Sequence, residues 1–453
     1  MASLPKTVRH LIQEYKAFQE ELPLRKAGPG LEGLVRFNGN RGMPIHGWYN
    51  FKEGFSGGLL SWLCKAIPCE LDELEHILDP FCGVGTSLLS AQLRYRGNEI
   101  LHAYGVEHNP FIRFVAQAKL SWPEYRPNRI KKLIPRLLAP RLAERRAEYQ
   151  VPGLSTIQNP KVFSSSVVQE LLAFRDRIRT ELRGEPEKDF FLLGWAAIIE
   201  QVSGVRKDGR ALRFKEKNSV PTVKEALRDQ WESMLDDLDE LDKDGTGLQN
   251  MECKVLAGDG RSLSATELTD KRFDLILYSP PYLNNIDYSE VYKLELWLSG
   301  LVRSQAEFRS LRLGTLRSHP SVKFPETNLL DELPEDSWSR RLREALLTAL
   351  PHNKDHIWRV RLIKSYMDDM YQALSAQFRF AQPNAPVVCV VGNSLHGRKE
   401  HPIPIATDLL IVALAQEVGF KIEWLQVARQ LRRRDHSNEL LRESIILMRQ
   451  PQT

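Results

Sequence analysis

The sequence predicts a doubly wound, Rossmann-like α/β sheet carrying a large, mainly helical insertion. Three observations carry that prediction. Apolar residues run into Asp79, a loop with Gly83 and Gly85 follows, and Ser87–Leu93 has helical spacing. Strand, glycine loop and helix in that order form a nucleotide-binding crevice at a sheet's carboxyl edge. About two hundred residues later a nearly all-apolar strand, Phe273–Tyr278, delivers Ser279-Pro280-Pro281-Tyr282 to the same edge, and such a strand belongs inside a parallel sheet. Two more strands end in acids, Ala103–Glu107 and Lys254–Asp259.

The bulk numbers agree with a globular chain: 453 residues, 42% hydrophobic and 27% charged. No apolar run reaches transmembrane length, roughly 18 residues, and the opening Met1–Lys6 shows no signal-peptide core, so a cytoplasmic protein is expected. The five cysteines are scattered, with no Cys/His partners at zinc-ligand spacing, so reduced thiols and no metal are expected. The net charge of +5 tilts toward a polyanionic partner without establishing one.

In chain order, residues 1–44 read as a helix and a glycine-containing loop, and 45–125 as the cofactor-binding half of the core. The aromatics around Trp48–Phe55 read as core, with Ser56 a helix N-cap candidate. The glycine loop lacks the Lys-Ser/Thr of a P-loop and has two of the three dinucleotide-fingerprint glycines. Glu107 lies just over twenty residues beyond Gly85, where an acid holds a ribose diol, and Asn109 follows it. Residues 126–249 read as a helical basic insertion. Its stretch 126–146 has eight Arg or Lys against Glu144 alone, and a basic loop carries Arg206, Lys207, Arg210 and Arg213 as candidate phosphate contacts. The catalytic half is 250–300, a second insertion is 301–356 with another basic stretch, 309–319, that reads as a loop, and 357–453 returns to the sheet.

These residues resemble S-adenosylmethionine-dependent DNA amino-methyltransferases, most closely those acting on cytosine N4. That family's first loop, Asp-Pro-Phe-x-Gly-x-Gly-Thr, is matched by Asp79, Pro80, Phe81, Gly83, Gly85 and Thr86, and its catalytic tetrapeptide by Ser279, Pro280, Pro281 and Tyr282. The resemblance covers roughly 45–122, 250–300 and 385–449, and implies a class I methyltransferase sheet with S-adenosylmethionine as cofactor. It assigns Glu107 to the ribose, Asp259 to the adenine amine, and Asp79 with the glycine loop to the methionine end. Double-stranded DNA is the implied partner, with base flipping, and a cognate restriction endonuclease is a candidate second one. The implied setting is a restriction-modification or phage-defence system. Either insertion, 126–249 or 301–356, is free to read the target.

The chemistry suits the tetrapeptide. An exocyclic amine is a poor nucleophile because its lone pair is delocalised into the ring. Ser279 Oγ and the Pro280 carbonyl can accept its two hydrogens and turn the lone pair outward, with the two prolines fixing the carbonyl. Tyr282 offers a face for a flipped base. Adenine N6 stays open as the target, since Ser at the first position is a tendency. An RNA methyltransferase acting on guanine N2, a non-catalytic sensor on the same fold, and an NAD-dependent dehydrogenase are the competing readings.

Overall fold

A computed structural model describes residues 4–140, 148–208, 212–215, 220–243, 250–284, 286–320, 322–325, 327–353, 355–396, 402–431 and 439–451. Its strands are β1 (Leu24–Arg25), β2 (His76–Asp79), β3 (Leu101–Glu107), β4 (Val205–Lys207), β5 (Leu212–Phe214), β6 (Met251–Ala257), β7 (Leu275–Tyr278), β8 (Pro386–Gly392), β9 (Ser394–His396), β10 (Ile403–Ile405), β11 (Lys421–Gln430) and β12 (Arg442–Arg449).

Eight of them form one sheet in the order β1-β11-β12-β8-β7-β2-β3-β6. β6, β3, β2, β7 and β8 are parallel, and β12 pairs antiparallel with both β8 and β11. The connections run from β2 outward to β3 and β6 on one side, and on the other from β7 to β8, across to β11 and back to β12, which fits between them. The order therefore reverses between β2 and β7, and a crevice opens there beyond the strands' carboxyl ends. This is the class I methyltransferase, Rossmann-like sheet.

Period-two alternation divides each central strand between two buried faces. Ile77, Leu277 and Val388 enter one apolar cluster, while Leu78, Ile276 and Val387 enter the other. The first cluster includes residues of helices Thr86–Arg94, Pro110–Leu120, Pro127–Leu138, Ser165–Glu181, Glu187–Ile198 and Val223–Lys243. The second includes residues of helices Lys6–Glu20, Trp338–Ala349, His356–Phe380 and Thr407–Val418. The helices of 126–243 thus share the core of one sheet face rather than standing apart from it. Among the described residues no helix is long and apolar enough to cross a membrane, and no cluster of His, Cys, Asp or Glu could hold a metal ion.

Three local expectations are corrected. Ser56 is not a side-chain cap inside its helix: the helix starts at Gly58 with Gly57 as N-cap, and Ser56 Oγ accepts from the Gly58 N–H at 3.2 Å. The basic loop around 203–213 is an antiparallel hairpin, pairing Val205 with Phe214, Arg206 with Arg213 and Lys207 with Leu212. Part of the stretch at 309–319 is helical, since Gln305–Leu313 is a helix capped by Ser304.

Candidate active site

Four strand ends supply the crevice. After β2 the chain must turn sharply into the helix Thr86–Arg94, and Gly83 and Gly85 take φ of 52° and 78° to do so, a region where side-chain-bearing residues are strained. Asp79 holds this turn together. Its carboxyl accepts from the Phe81 N–H at 3.0 Å and from Ser87 Oγ, and it is 2% exposed. Burial pushes it up to about 7 against those two hydrogen bonds. Asp79, which the resemblance sets at the methionine end, is therefore bonded within its own loop. It braces the loop, of which Phe81 and Gly83 face the crevice, while Gly85 packs against Ala116 and Thr86 is buried at the helix start.

β3 ends in Glu107, and Asn109 caps the next helix by accepting from the N–H groups of Phe111 and Ile112. The Asn109 N–H donates to Glu107 Oε1 at 2.7 Å. Burial pushes Glu107 up to about 7, opposed by the N–H groups of Asn109, Gly83 and His108 and by Arg113. Beyond β6, Asp259 faces the same space with its carboxylate gripped by Arg261, at 2.6 Å from Nη2 to Oδ2. β7 contributes Ser279, Pro280 and Pro281.

The resulting cavity of ≈ 120 Å³ is lined by the carboxyl groups of Glu53, Glu107 and Asp259 and, among the described residues, by no Lys or Arg side chain. A cationic nucleoside such as S-adenosylmethionine fits that electrostatic character. Phe51, Glu53 and Tyr288, with the segment Gly314–His319, complete the lining, and sequence reasoning missed them as ligand-facing residues. Arg261 Nη2 donates to the Gly314 carbonyl at 2.9 Å, His108 Nε2 lies 3.0 Å from the Leu311 carbonyl, and Arg317 joins Asp369. This part of 301–356 thus closes over the crevice.

Tyr282 lies on the other side of the tetrapeptide, in a second cavity of ≈ 460 Å³ with Lys52, Asn284, Gly392 and Arg429. Its ring abuts Gly392, where an added Cβ would come within 2.8 Å of it. Its hydroxyl donates to Glu443 Oε1 at 2.9 Å, and Arg429 Nε donates to the same carboxylate at 2.6 Å. Burial and Glu443 push the Tyr282 hydroxyl well up, so it keeps its proton for that bond. Ser279 Oγ lies 2.9 Å from the Val390 carbonyl and 3.2 Å from the Tyr282 hydroxyl. One wall, Ser279 to Tyr282, thus separates two cavities.

The candidate phosphate contacts divide. Arg206 and Arg213 are exposed on the outer face of the hairpin, Arg213 pairing with Asp208 at 2.7 Å, and Phe214 beside them is 63% exposed. Lys207 departs from expectation. It is 5% exposed, paired with Glu295, bonded to Tyr49 Oη at 2.9 Å, and 4.6 Å from the centre of the Tyr292 ring. Arg210 lies outside the described residues. Arg126 and Arg129 are paired with Glu185 and Glu187, and Arg136 with Glu181. Lys131 and Lys132 stay exposed, while Arg141, Arg145 and Arg146 fall outside the described residues.

No protein-family model matches the chain. It is 23% identical over 491 residues to the Type II methyltransferase M.BsoBI of Geobacillus stearothermophilus, covering 98% of this chain and 90% of that protein. It is 25% identical over 475 residues to the Type II methyltransferase M.AvaI of Nostoc sp., covering 92% and 89%. Among solved structures, the rRNA methyltransferase aviRa from Streptomyces viridochromogenes is 12% identical and covers 93% of this chain and 90% of its own, at a TM-score of 0.29. A TM-score that low carries no weight for function.

Proposed function

We propose that the chain is a site-specific DNA methyltransferase that uses S-adenosylmethionine and modifies the N4 amine of cytosine. The observation that carries this reading is the wall Ser279-Pro280-Pro281-Tyr282 between an acid-lined crevice and a second cavity. Similarity to two Type II methyltransferases over most of the chain supports the DNA substrate and a restriction-modification setting, with a cognate endonuclease as candidate partner. Adenine N6 is the second reading, since Ser279 can accept from either amine.

When bound, the cofactor supplies a methyl group on a sulfonium. Glu107 would take its ribose hydroxyls, Asp259 its adenine amine while shared with Arg261, and Phe81 and Gly83 its remaining contacts. The tetrapeptide's task is orientation. Ser279 Oγ and the Pro280 carbonyl accept the amine's hydrogens, and the proline φ values hold the carbonyl in place before the base arrives. Tyr282 and Tyr288 border the second cavity, giving a flipped base aromatic surfaces to lie against. Digesting methylated DNA to nucleosides for mass spectrometry decides the product. N6-methyladenine without N4-methylcytosine would overturn the base assignment, and methyl groups confined to RNA would overturn the substrate class.

Cofactor binding is expected to release protons at pH about 6.5, because hydroxyl donors favour the ionised form of a carboxyl and Glu107 without ligand is held near 7. Affinity should therefore rise with pH up to about 7. Calorimetry in two buffers of different ionisation enthalpy reads the release, and Glu107→Gln should abolish it and weaken binding by about 1–3 kcal/mol. Equal heats in both buffers for the wild type would remove Glu107 from the site.

The hairpin is expected to meet the DNA backbone beside the second cavity, since Lys52, which lines that cavity, donates to the Lys207 carbonyl at 2.6 Å. Replacing Arg206 and Arg213 by Ala should reduce the salt dependence of DNA affinity by about one unit of slope for each phosphate that no longer meets a guanidinium. An unchanged slope would leave them as solvated surface.

A further inference from the structure

Two residues, Glu53 and Tyr288, line both the crevice at Ser279–Pro281 and the cavity at Tyr282 among the described residues. Of the two, Glu53 carries an acidic group. Tyr292 donates to its Oε2 at 2.9 Å, and Glu53's own backbone N–H also bonds the carboxylate. The support is built from several elements. Tyr292 packs against Phe51 with ring centroids 5.5 Å apart, and Lys207, paired with Glu295, sits 4.6 Å from the centre of the Tyr292 ring.

The other titratable groups facing the crevice also lie against protein neighbours, and none of them lines the second cavity. Glu107 accepts from the Asn109 N–H, Asp259 is clamped by Arg261, His108 is directed at the Leu311 carbonyl, and His319 lies 3.2 Å from Thr315 Oγ1 and 3.5 Å from Asp287.

Methylating an amine leaves one proton to be removed. The nitrogen lone pair forms the N–C bond, the C–S pair stays with sulfur, and one N–H pair returns to nitrogen as its proton departs. Sulfonium, neutral amine and carboxylate become thioether, neutral methylamine and carboxylic acid, so charge balances. Resting on the methyl-transfer reading above, we infer that Glu53 is the acceptor of that proton: once the methyl has moved, one of the two hydrogens held by Ser279 Oγ and the Pro280 carbonyl leaves its hydrogen bond for the Glu53 carboxylate, which passes it to water through the second cavity.

Burial raises the Glu53 carboxyl, opposed by Tyr292, its own backbone N–H, Lys207 and Lys52. A base raised toward neutral pH is better matched to proton transfer. Tyr288 is the remaining titratable neighbour, and burial keeps it protonated.

The test is single-turnover methyl transfer to duplex DNA across pH with cofactor saturating, so that protonation of Glu107 in the free enzyme does not enter. Cofactor affinity is measured separately by calorimetry. Glu53→Gln should slow transfer at saturating cofactor by about 10²-fold and abolish the acid limb of the pH profile, with Glu53→Asp partly restoring the rate. Tyr292→Phe, which removes a hydrogen bond to the ionised form, should move the acid limb to higher pH, and it carries the test if Glu53→Gln does not fold. A Glu53→Gln enzyme with wild-type rate and acid limb overturns the inference, as does an unmoved limb in Tyr292→Phe. Loss of cofactor affinity with full rate at saturation overturns it too, by making Glu53 a cofactor ligand. If the wild type itself moves no methyl group to DNA, it is the functional reading that fails.

Discussion

Asp369→Ala is expected to lower stability by about 3–5 kcal/mol, the range for a buried ion pair deprived of one partner. Asp369 Oδ1 accepts from Arg261 Nη1 at 2.8 Å and Arg317 Nη2 at 2.6 Å, and Oδ2 from Arg317 Nε at 3.0 Å and its backbone N–H at 2.8 Å. The carboxylate is 1% exposed and Arg317 is 6% exposed, so the guanidinium left behind could not reach water in place. The loss should also be felt in the crevice. Arg261 spans Asp259, Asp369 and the Gly314 carbonyl, so releasing it loosens the segment Gly314–His319 and weakens cofactor binding. Asp369→Asn keeps the shape and some acceptors, and should cost less. Urea unfolding reads the difference as a shift of midpoint at constant slope. A change under about 1 kcal/mol for Asp369→Ala would mean that water replaces the carboxylate and the network is not buried in solution.

The strand ends were legible in sequence because a buried parallel strand leaves a strong record: an apolar run, then a polar residue or proline at the sheet's edge. Asp79, Glu107, Asp259 and Ser279 each stand where such a run stops, and the sheet puts all four on one edge. Which way each side chain faces was less legible. Asp79 and Glu107 read alike as strand-end acids. One curls back onto Ser87 and Phe81 while the other opens into the crevice. That difference lies in the turn after the strand, where a hydroxyl eight residues on captures the carboxylate.

Lys207 was misread for a related reason. Composition makes Arg206, Lys207 and Arg213 one basic patch, but a hairpin alternates faces, and the register that turns Arg206 and Arg213 outward turns Lys207 in toward Tyr49 and Glu295. The closing segment Gly314–His319 was out of reach, since its position depends on Arg317 meeting Asp369, which lies 52 residues away. No local pattern records such a contact. Glu53 and Tyr288 became visible as site residues only when two cavities could be seen to share them.

Ser279→Ala is expected to slow methyl transfer by about 10²–10³-fold, the cost of removing one preorganised hydrogen-bonding group from a reacting centre. Its role follows from where the protons are. Glu443, held by Arg429, takes the Tyr282 proton, so the Tyr282 hydroxyl has none to give Ser279. The Ser279 proton goes to the Val390 carbonyl at 2.9 Å. Oγ therefore presents lone pairs to an incoming amine, and accepting from it matters most as that nitrogen leaves the plane of the ring. An interaction that strengthens toward the transition state appears in the rate and not in binding, so cofactor and DNA affinities should change by no more than about twofold. Tyr282→Phe, which cuts the link to Glu443 but leaves Ser279 its Val390 partner, should lose less. Rapid-quench single turnovers with saturating enzyme measure the step directly. A Ser279→Ala enzyme that transfers at the wild-type rate would leave the Pro280 carbonyl as the sole acceptor and remove Ser279 from the chemistry. One that fails only in binding DNA would make Ser279 a contact for the resting base.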